Sequence, residues 1–412
     1  MDQLLKTFLA FMLIPLLLRF KVKLSHTIAL TAAVLILLSG IDFATLAAIV
    51  KGLLVNIPSR DTIFTVLMVS VVGGAMKHYG LLGKIIDAMI SVVPSKKAVM
   101  MMIPSLIGTL AIPGGAVLSA PFVDDLGRDL NMAPSHRAAV NLIFRHVTML
   151  LFPFSSTMLF VKSAMPEVNI YLLIFYNLVF LMLILPIAYW LYLKKVPAEK
   201  PPHREGLARE LRELLAYSAP IYIPVLLNAL VGLPFYLGLL LSTLLIFFQS
   251  DHQKFFKVLR DSANWHTVLI IVSVLLIKDV ILEMDRLLGV FDAFFLFTSN
   301  IVLIFMLFMV TSLFFGMITG NITTPMAVTF PMLTQLTLSM GLGVSEIHIF
   351  AYFITISAFL GYYFSPLHLC QTFTLEVMKV STGQLYKTYI PYVIGAVGVL
   401  MVSSLSLLAF VS

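Results

Sequence analysis

The chain has 412 residues, 60% of them hydrophobic and 11% charged, with a mean hydropathy of +1.02. Soluble domains carry roughly a quarter charged residues, so this composition excludes a soluble globular protein and indicates a polytopic membrane protein. The net charge of +7 has no soluble basic face on which to recruit nucleic acid and reads as a record of membrane orientation, while the single cysteine, Cys370, excludes a disulfide framework and any Cys-rich metal or cluster site.

A crossing needs about 20 apolar residues. Hydrophobic runs bounded by charge, Pro or Gly predict spans at residues 4–18, 24–41 and 62–76, followed by an amphipathic stretch, LLGKIIDAM (81–89). The apolar segment at about 97–130 is interrupted by helix-stopping residues and predicts a re-entrant hairpin with its tip at Pro113, Gly114 and Gly115. Spans at 138–160 and 170–193 complete a first repeat, residues 1–193. Residues 194–215, KKVPAEKPPHREGLARELRELL, read as a solvated cytoplasmic linker with a short amphipathic helix. A second repeat, residues 216–412, then holds spans at 216–231, 235–248, 267–282, 347–373 and 389–410, with a hairpin at about 294–340 whose tip runs from Gly320 through Asn321, Ile322, Thr323 and Thr324 to Pro325. The fold class expected is all-α and polytopic, with about ten transmembrane helices and two hairpins.

This layout places 20 of the 27 Lys and Arg residues on the cytoplasmic side, 5 outside and 2, Arg145 and Lys278, within spans. Counting either hairpin as a full crossing would invert everything after it. A multi-pass protein of the cytoplasmic membrane with both termini external is therefore expected. The first apolar run is followed by RFKVK, not by a small-residue cleavage site.

The halves match in order and in residues. LLGKIIDAM (81–89) pairs with LLGVFDAFF (287–295), TVLMVSVV (65–72) with TVLIIVSV (267–274), and IPGGAVLSAPF (112–122) with ITGNITTPMAVTFP (318–331). Each hairpin precedes a span broken by Pro beside hydroxyl residues, LFPFSSTMLF (151–160) and YYFSPLHLC (362–370). Five crossings per half is an odd number, which makes the repeats inverted in topology. In that architecture substrate and ion sites lie near the membrane midplane, at discontinuous helices.

The pattern resembles the ion transporter superfamily, which includes the gluconate, citrate and divalent-anion permeases, and within it an uncharacterised prokaryotic membrane-protein family. The resemblance covers nearly the whole chain and is architectural. It implies an elevator-type secondary transporter, a homodimer, with hairpin tips and helix breaks forming the sites. The sodium-dependent dicarboxylate branch carries Ser-Asn-Thr at both tips; here only the second tip has an approximate counterpart, so H⁺ and Na⁺ both stay open as coupling ions.

A hairpin tip at membrane depth is tolerated only inside protein or beside a water-filled cavity. The helix N-terminus after each tip then offers N–H groups and partial positive charge to an anion. The substrate-binding residues expected are Pro113, Gly114, Gly115, Arg145, Ser155, Ser156, Asn321, Thr323, Thr324 and Ser365; those expected for the coupling ion are Thr157, Gly320, Asn321, Thr324, His146 and His368. Arg145 has two readings, an anion anchor or a structural pair with Asp124 or Asp125. His146 likewise carries a coupling proton or makes a structural hydrogen bond. Lys278, Asp279, Glu283 and Arg286 read as an interfacial charge cluster. The chain lacks HExxH, GxSxG, Walker A and Rossmann signatures. The expectation is a non-enzymatic secondary transporter of a small anion, without cofactor or metal beyond a coupling ion, its only other partners the bilayer and a second copy of itself. A cation/proton antiporter of the same architecture is the alternative.

Overall fold

The computed structural model describes residues 2–93, 95–109, 116–197, 207–250, 254–298 and 300–411, which form helices and turns with no strand among them. Ten helices precede the charged stretch: α1 (Asp2–Arg19), α2 (Leu24–Ser39), α3 (Phe43–Val55), α4 (Ile57–His78), α5 (Leu81–Val92), α6 (Lys96–Thr109), α7 (Ala116–Asp129), α8 (Pro134–Leu151), α9 (Ser156–Ala164) and α10 (Ile170–Tyr192). Ten follow it: α11 (Leu207–Val231), α12 (Phe235–Gln249), α13 (Phe255–Ser262), α14 (Trp265–Leu282), α15 (Asp285–Phe297), α16 (Ile301–Thr319), α17 (Thr323–Met340), α18 (Val344–Tyr363), α19 (Leu369–Met378) and α20 (Thr382–Val411).

Among the described residues eight segments are long and apolar enough to cross a bilayer: α4, α8 with α9, α10, α11, α14, α16, α18 and α20. The chain is an all-α, multi-pass membrane protein. The spans expected at 4–18, 24–41 and 235–248 are helices of 18, 16 and 15 residues, about 22–27 Å long at 1.5 Å per residue and thus shorter than a hydrocarbon core of about 30 Å. The hairpins are unequal. The first has arms of 14 residues each and the second arms of 19 and 18, and of these α16 alone is both long and apolar enough for a span.

Other boundaries also moved. The helices α3 and α13 were not expected; each is short and leads directly into the long helix that follows, α4 or α14. The helix of the 216–231 span starts at Leu207, because LARELRELL continues its periodicity and an Arg209–Glu213 pair at 2.9 Å bridges one turn. It takes over the second part of the expected linker; residues 198–206 and the first hairpin tip, Pro113, Gly114 and Gly115, lie outside the described residues. Lys278, expected at an interface, is buried and pairs with Asp279 at 2.6 Å.

Contacts between the halves are reciprocal. Helix α2 packs on α14 and α12 on α4; α5 packs on α11 and α15 on α1; α13 lies on α4 and α3 on α14; α7 meets α19 and α17 meets α9. The most enclosed helices are α8 and α18, the eighth of each ten, buried on nearly every face. Their closest approaches to the hairpins need glycine. A Cβ on Gly108 of α6 would stand 2.1 Å from the Arg145 carbonyl oxygen of α8, and one on Gly316 of α16 would stand 2.8 Å or less from the backbone of Gly361 and Tyr362 in α18.

Both breaks fall at the expected prolines, at residues 152–155 and 364–368. Such breaks strand backbone carbonyls at membrane depth, where lipid offers no donor. Here side chains supply the donors. Ser155 Oγ donates to the Met149 carbonyl at 2.9 Å and accepts from Met158 N–H, joining the two halves of the broken helix. Asn177 of α10 donates to the Leu150 carbonyl at 2.9 Å, and Tyr386 of α20 donates to the Phe364 carbonyl at 2.8 Å. The last helix of each half thus satisfies the break of its own half.

Candidate functional site

The two breaks and the second hairpin tip enclose a cavity of about 180 Å³. Its walls are Arg145, His146, Thr148 and Met149 of α8; Phe152, Ser155 and Ser156 at the first break; Gly320, Asn321 and Ile322 at the tip; and Tyr362, Leu369 and Cys370 at the second break, with Leu24, Gly108 and Thr109 closing the edge. Two short helices, α9 and α19, begin in this wall, at Ser156 and at Leu369. Their first-turn N–H groups and positive dipole ends therefore face the cavity.

Among the described residues, Arg145 carries the one full charge in that wall. It is 4% exposed, its Nη1 is buried without a hydrogen-bond partner, and no carboxylate pairs with it among the described residues. The structural pairing expected with Asp124 or Asp125 does not form. Asp124 is taken by Arg137 at 2.9 Å and by Arg128 at 2.6 Å, because α7 turns its carboxylate toward the N-terminal end of α8. A guanidinium buried without a counter-ion is costly, and an anion in the cavity would relieve it.

His146 is fully enclosed. Its Nδ1 lies 2.6 Å from the Leu142 carbonyl oxygen, which only accepts, so Nδ1 holds the proton and Nε2 offers a lone pair. His368 Nε2, 3.0 Å away, donates to it. Tyr362 stands beside both, its hydroxyl 3.5 Å from His146 Nε2 and its ring 4.1 Å from that of His368. His146 comes from the first half and His368 from the second, so this contact ties one broken helix to the other.

At the second tip Gly320 adopts φ +59°, and a Cβ there would stand 2.8 Å from the Leu367 backbone, so the tip packs directly on the second break. Asn321 Oδ1 accepts from Thr323 N–H at 2.8 Å, Thr324 N–H at 3.2 Å and the Thr323 hydroxyl at 2.7 Å. This changes the expected chemistry of the tip: the N-terminus of α17 is already capped by Asn321, as Met158 N–H of α9 is by Ser155, and α19 is the helix at this cavity whose first turn carries no side-chain cap.

The structure therefore gathers Arg145, His146, Ser155, Ser156, Gly320 and Asn321 at one cavity, with His368 directly behind His146. Thr323 and Thr324 are buried in the cap. Ser365 is turned away, donating to the Met317 carbonyl at 2.6 Å. Thr157 is fully buried one residue beyond the wall, its hydroxyl without a partner. Sequence reasoning missed Tyr362 and Cys370, although both lie in the YYFSPLHLC segment that marked the break, and missed Gly108, whose signal was a glycine five residues before the expected tip.

A solved structure, described as the crystal structure of the Alcanivorax borkumensis YdaH transporter with an unusual topology, shares this fold. The TM-score is 0.61 at 14% identity, covering 90% of this chain and 87% of that one. No curated protein matches the sequence. A family model described as a protein of unknown function (DUF401) matches residues 3–406. This chain belongs to the DUF401 family.

Proposed function

We propose that the protein is a secondary transporter of a small anion, with Arg145 as the anion's anchor. The observation that carries this reading is a buried guanidinium, its Nη1 without a partner and no carboxylate beside it among the described residues, in the wall of a cavity where two helices begin. Held there, it offers a fork of donors matched to a carboxylate or other oxyanion. At about 180 Å³ the cavity suits a small ligand of few atoms. The doubled order of ten helices and the reciprocal contacts support inverted repeats of the ion transporter superfamily type. In the elevator reading, α6–α9 and α16–α19 move as one body against the remaining helices, and the contact of His146 with His368 is where a coupling proton would act. The same guanidinium weighs against the cation-exchange alternative.

Protein reconstituted in liposomes should take up labelled anions from a panel of acetate, lactate, succinate, phosphate and sulfate when an H⁺ or Na⁺ gradient is imposed. Arg145→Gln should remove that uptake. Uptake equal to wild type in the variant overturns the assignment.

A further inference from the structure

We propose that His146, His368 and Cys370 form a binding site for a borderline-soft transition-metal ion of the Zn²⁺ class, set into the wall of the central cavity. The donor atoms of the three side chains all lie within 4.8 Å of one another, with the two Nε2 atoms 3.0 Å apart. Four-coordinate zinc, with bonds of about 2.0–2.1 Å to nitrogen and about 2.3 Å to sulfur, holds such donors about 3.3–3.6 Å from each other. Shifts of about 1 Å thus convert the histidine pair into a two-imidazole, one-thiolate set, a combination that suits zinc and its neighbours.

The surroundings support this in three ways. The His146 ring is fixed by Nδ1–H donating to the Leu142 carbonyl, the outer-shell arrangement that orients a ligating imidazole through Nε2. Cys370 lies in the first turn of α19, which fixes its backbone beside the two imidazoles. Both His146 and Cys370 also line the cavity, so three protein ligands leave a fourth position open to it. On binding, the Cys370 thiol proton leaves to solvent and His368 moves its proton from Nε2 to Nδ1, so the protein ligands release one proton per ion, and a hydroxide at the fourth position releases a second from its water. Arg145 repels a bare dication. The thiolate offsets one positive charge, and an anion or hydroxide at the fourth position, within reach of the same guanidinium, offsets the other.

This proposal goes beyond the transport reading, because Arg145 is not a ligand and metal uptake requires no transport. The test is a Co²⁺ titration of tag-free protein in detergent, in a chloride buffer. The expected spectrum has the intense visible bands of four-coordinate cobalt together with a thiolate-to-cobalt charge-transfer band, saturates at one ion per chain and is abolished by competing Zn²⁺. Cys370 is the only cysteine, so the charge-transfer band has a single possible source and must vanish in Cys370→Ser. His368→Ala should weaken cobalt binding by at least about tenfold. Thermal unfolding of each variant establishes that it is folded before titration. A weak octahedral spectrum in the wild type, or a charge-transfer band surviving in Cys370→Ser, overturns the site.

Discussion

Arg145 shows at the scale of one residue how function and stability pull apart. An uncompensated buried charge costs about 3–5 kcal/mol, and no carboxylate among the described residues repays it. Replacing Arg145 with Met, which keeps the length and removes the charge, should therefore raise the unfolding temperature of the anion-free protein while abolishing uptake. A transported anion should stabilise the wild type, by about 2.7 kcal/mol at one hundred times its dissociation constant, and leave Arg145→Met unmoved. Thermal unfolding with and without anion reads both effects; a methionine variant that melts earlier than wild type would show that the guanidinium has a structural role. The sequence marked Arg145 as exceptional because a charge within a span is rare, but it could not choose between anchor and ion pair. That choice depended on whether α7 delivers Asp124 to Arg145 or to Arg137, which is decided by the hairpin's packing and not by spacing along the chain.

The helix breaks place the determinants of stability at the scale of the element. Asn177→Leu leaves the Leu150 carbonyl without its donor, and Tyr386→Phe does the same to Phe364. Each should cost about 1–3 kcal/mol, and the double variant should cost the sum, because the two bonds belong to separate breaks with no shared partner. Denaturation of the purified single and double variants measures this, and strong non-additivity would mean that the breaks are coupled. Glycines provide a matched comparison. Gly108→Ala must push α6 away from the Arg145 backbone and should destabilise by more than the usual 1–3 kcal/mol of overpacking, whereas Gly83→Ala in α5 meets open space and should stabilise by about 0.5–1 kcal/mol. Proline beside hydroxyls made the breaks readable in advance. The short helices α3 and α13 were not readable, because a run of 13 or 8 residues has too few turns to distinguish it from a loop or the start of a span. The capping of α17 by Asn321 was also missed, since the same Asn-x-Thr pattern suits a ligand site and a helix cap equally well.

Across the whole molecule, the cavity draws one broken helix from each half, so any motion that changes access to it must carry both breaks together. In the proposed transport reading, the reciprocal pairing of elements is what would let two end states exchange one half's contacts for the other's. Cys370 is a built-in reporter of this, being the only cysteine and lying in the cavity wall. Alternating access predicts that a membrane-impermeant maleimide labels it from either face, in right-side-out and in inverted vesicles, and that a transported anion slows labelling from both. Only 9% of the Cys370 surface is exposed, so its labelling rate from each face reports how accessible the cavity is from that face. Saturating anion that shifts the closed state by tenfold would slow labelling by about the same factor. Labelling from one face only, under every gradient and ligand tested, would leave the cavity as a one-sided pocket and remove the basis for transport by this route.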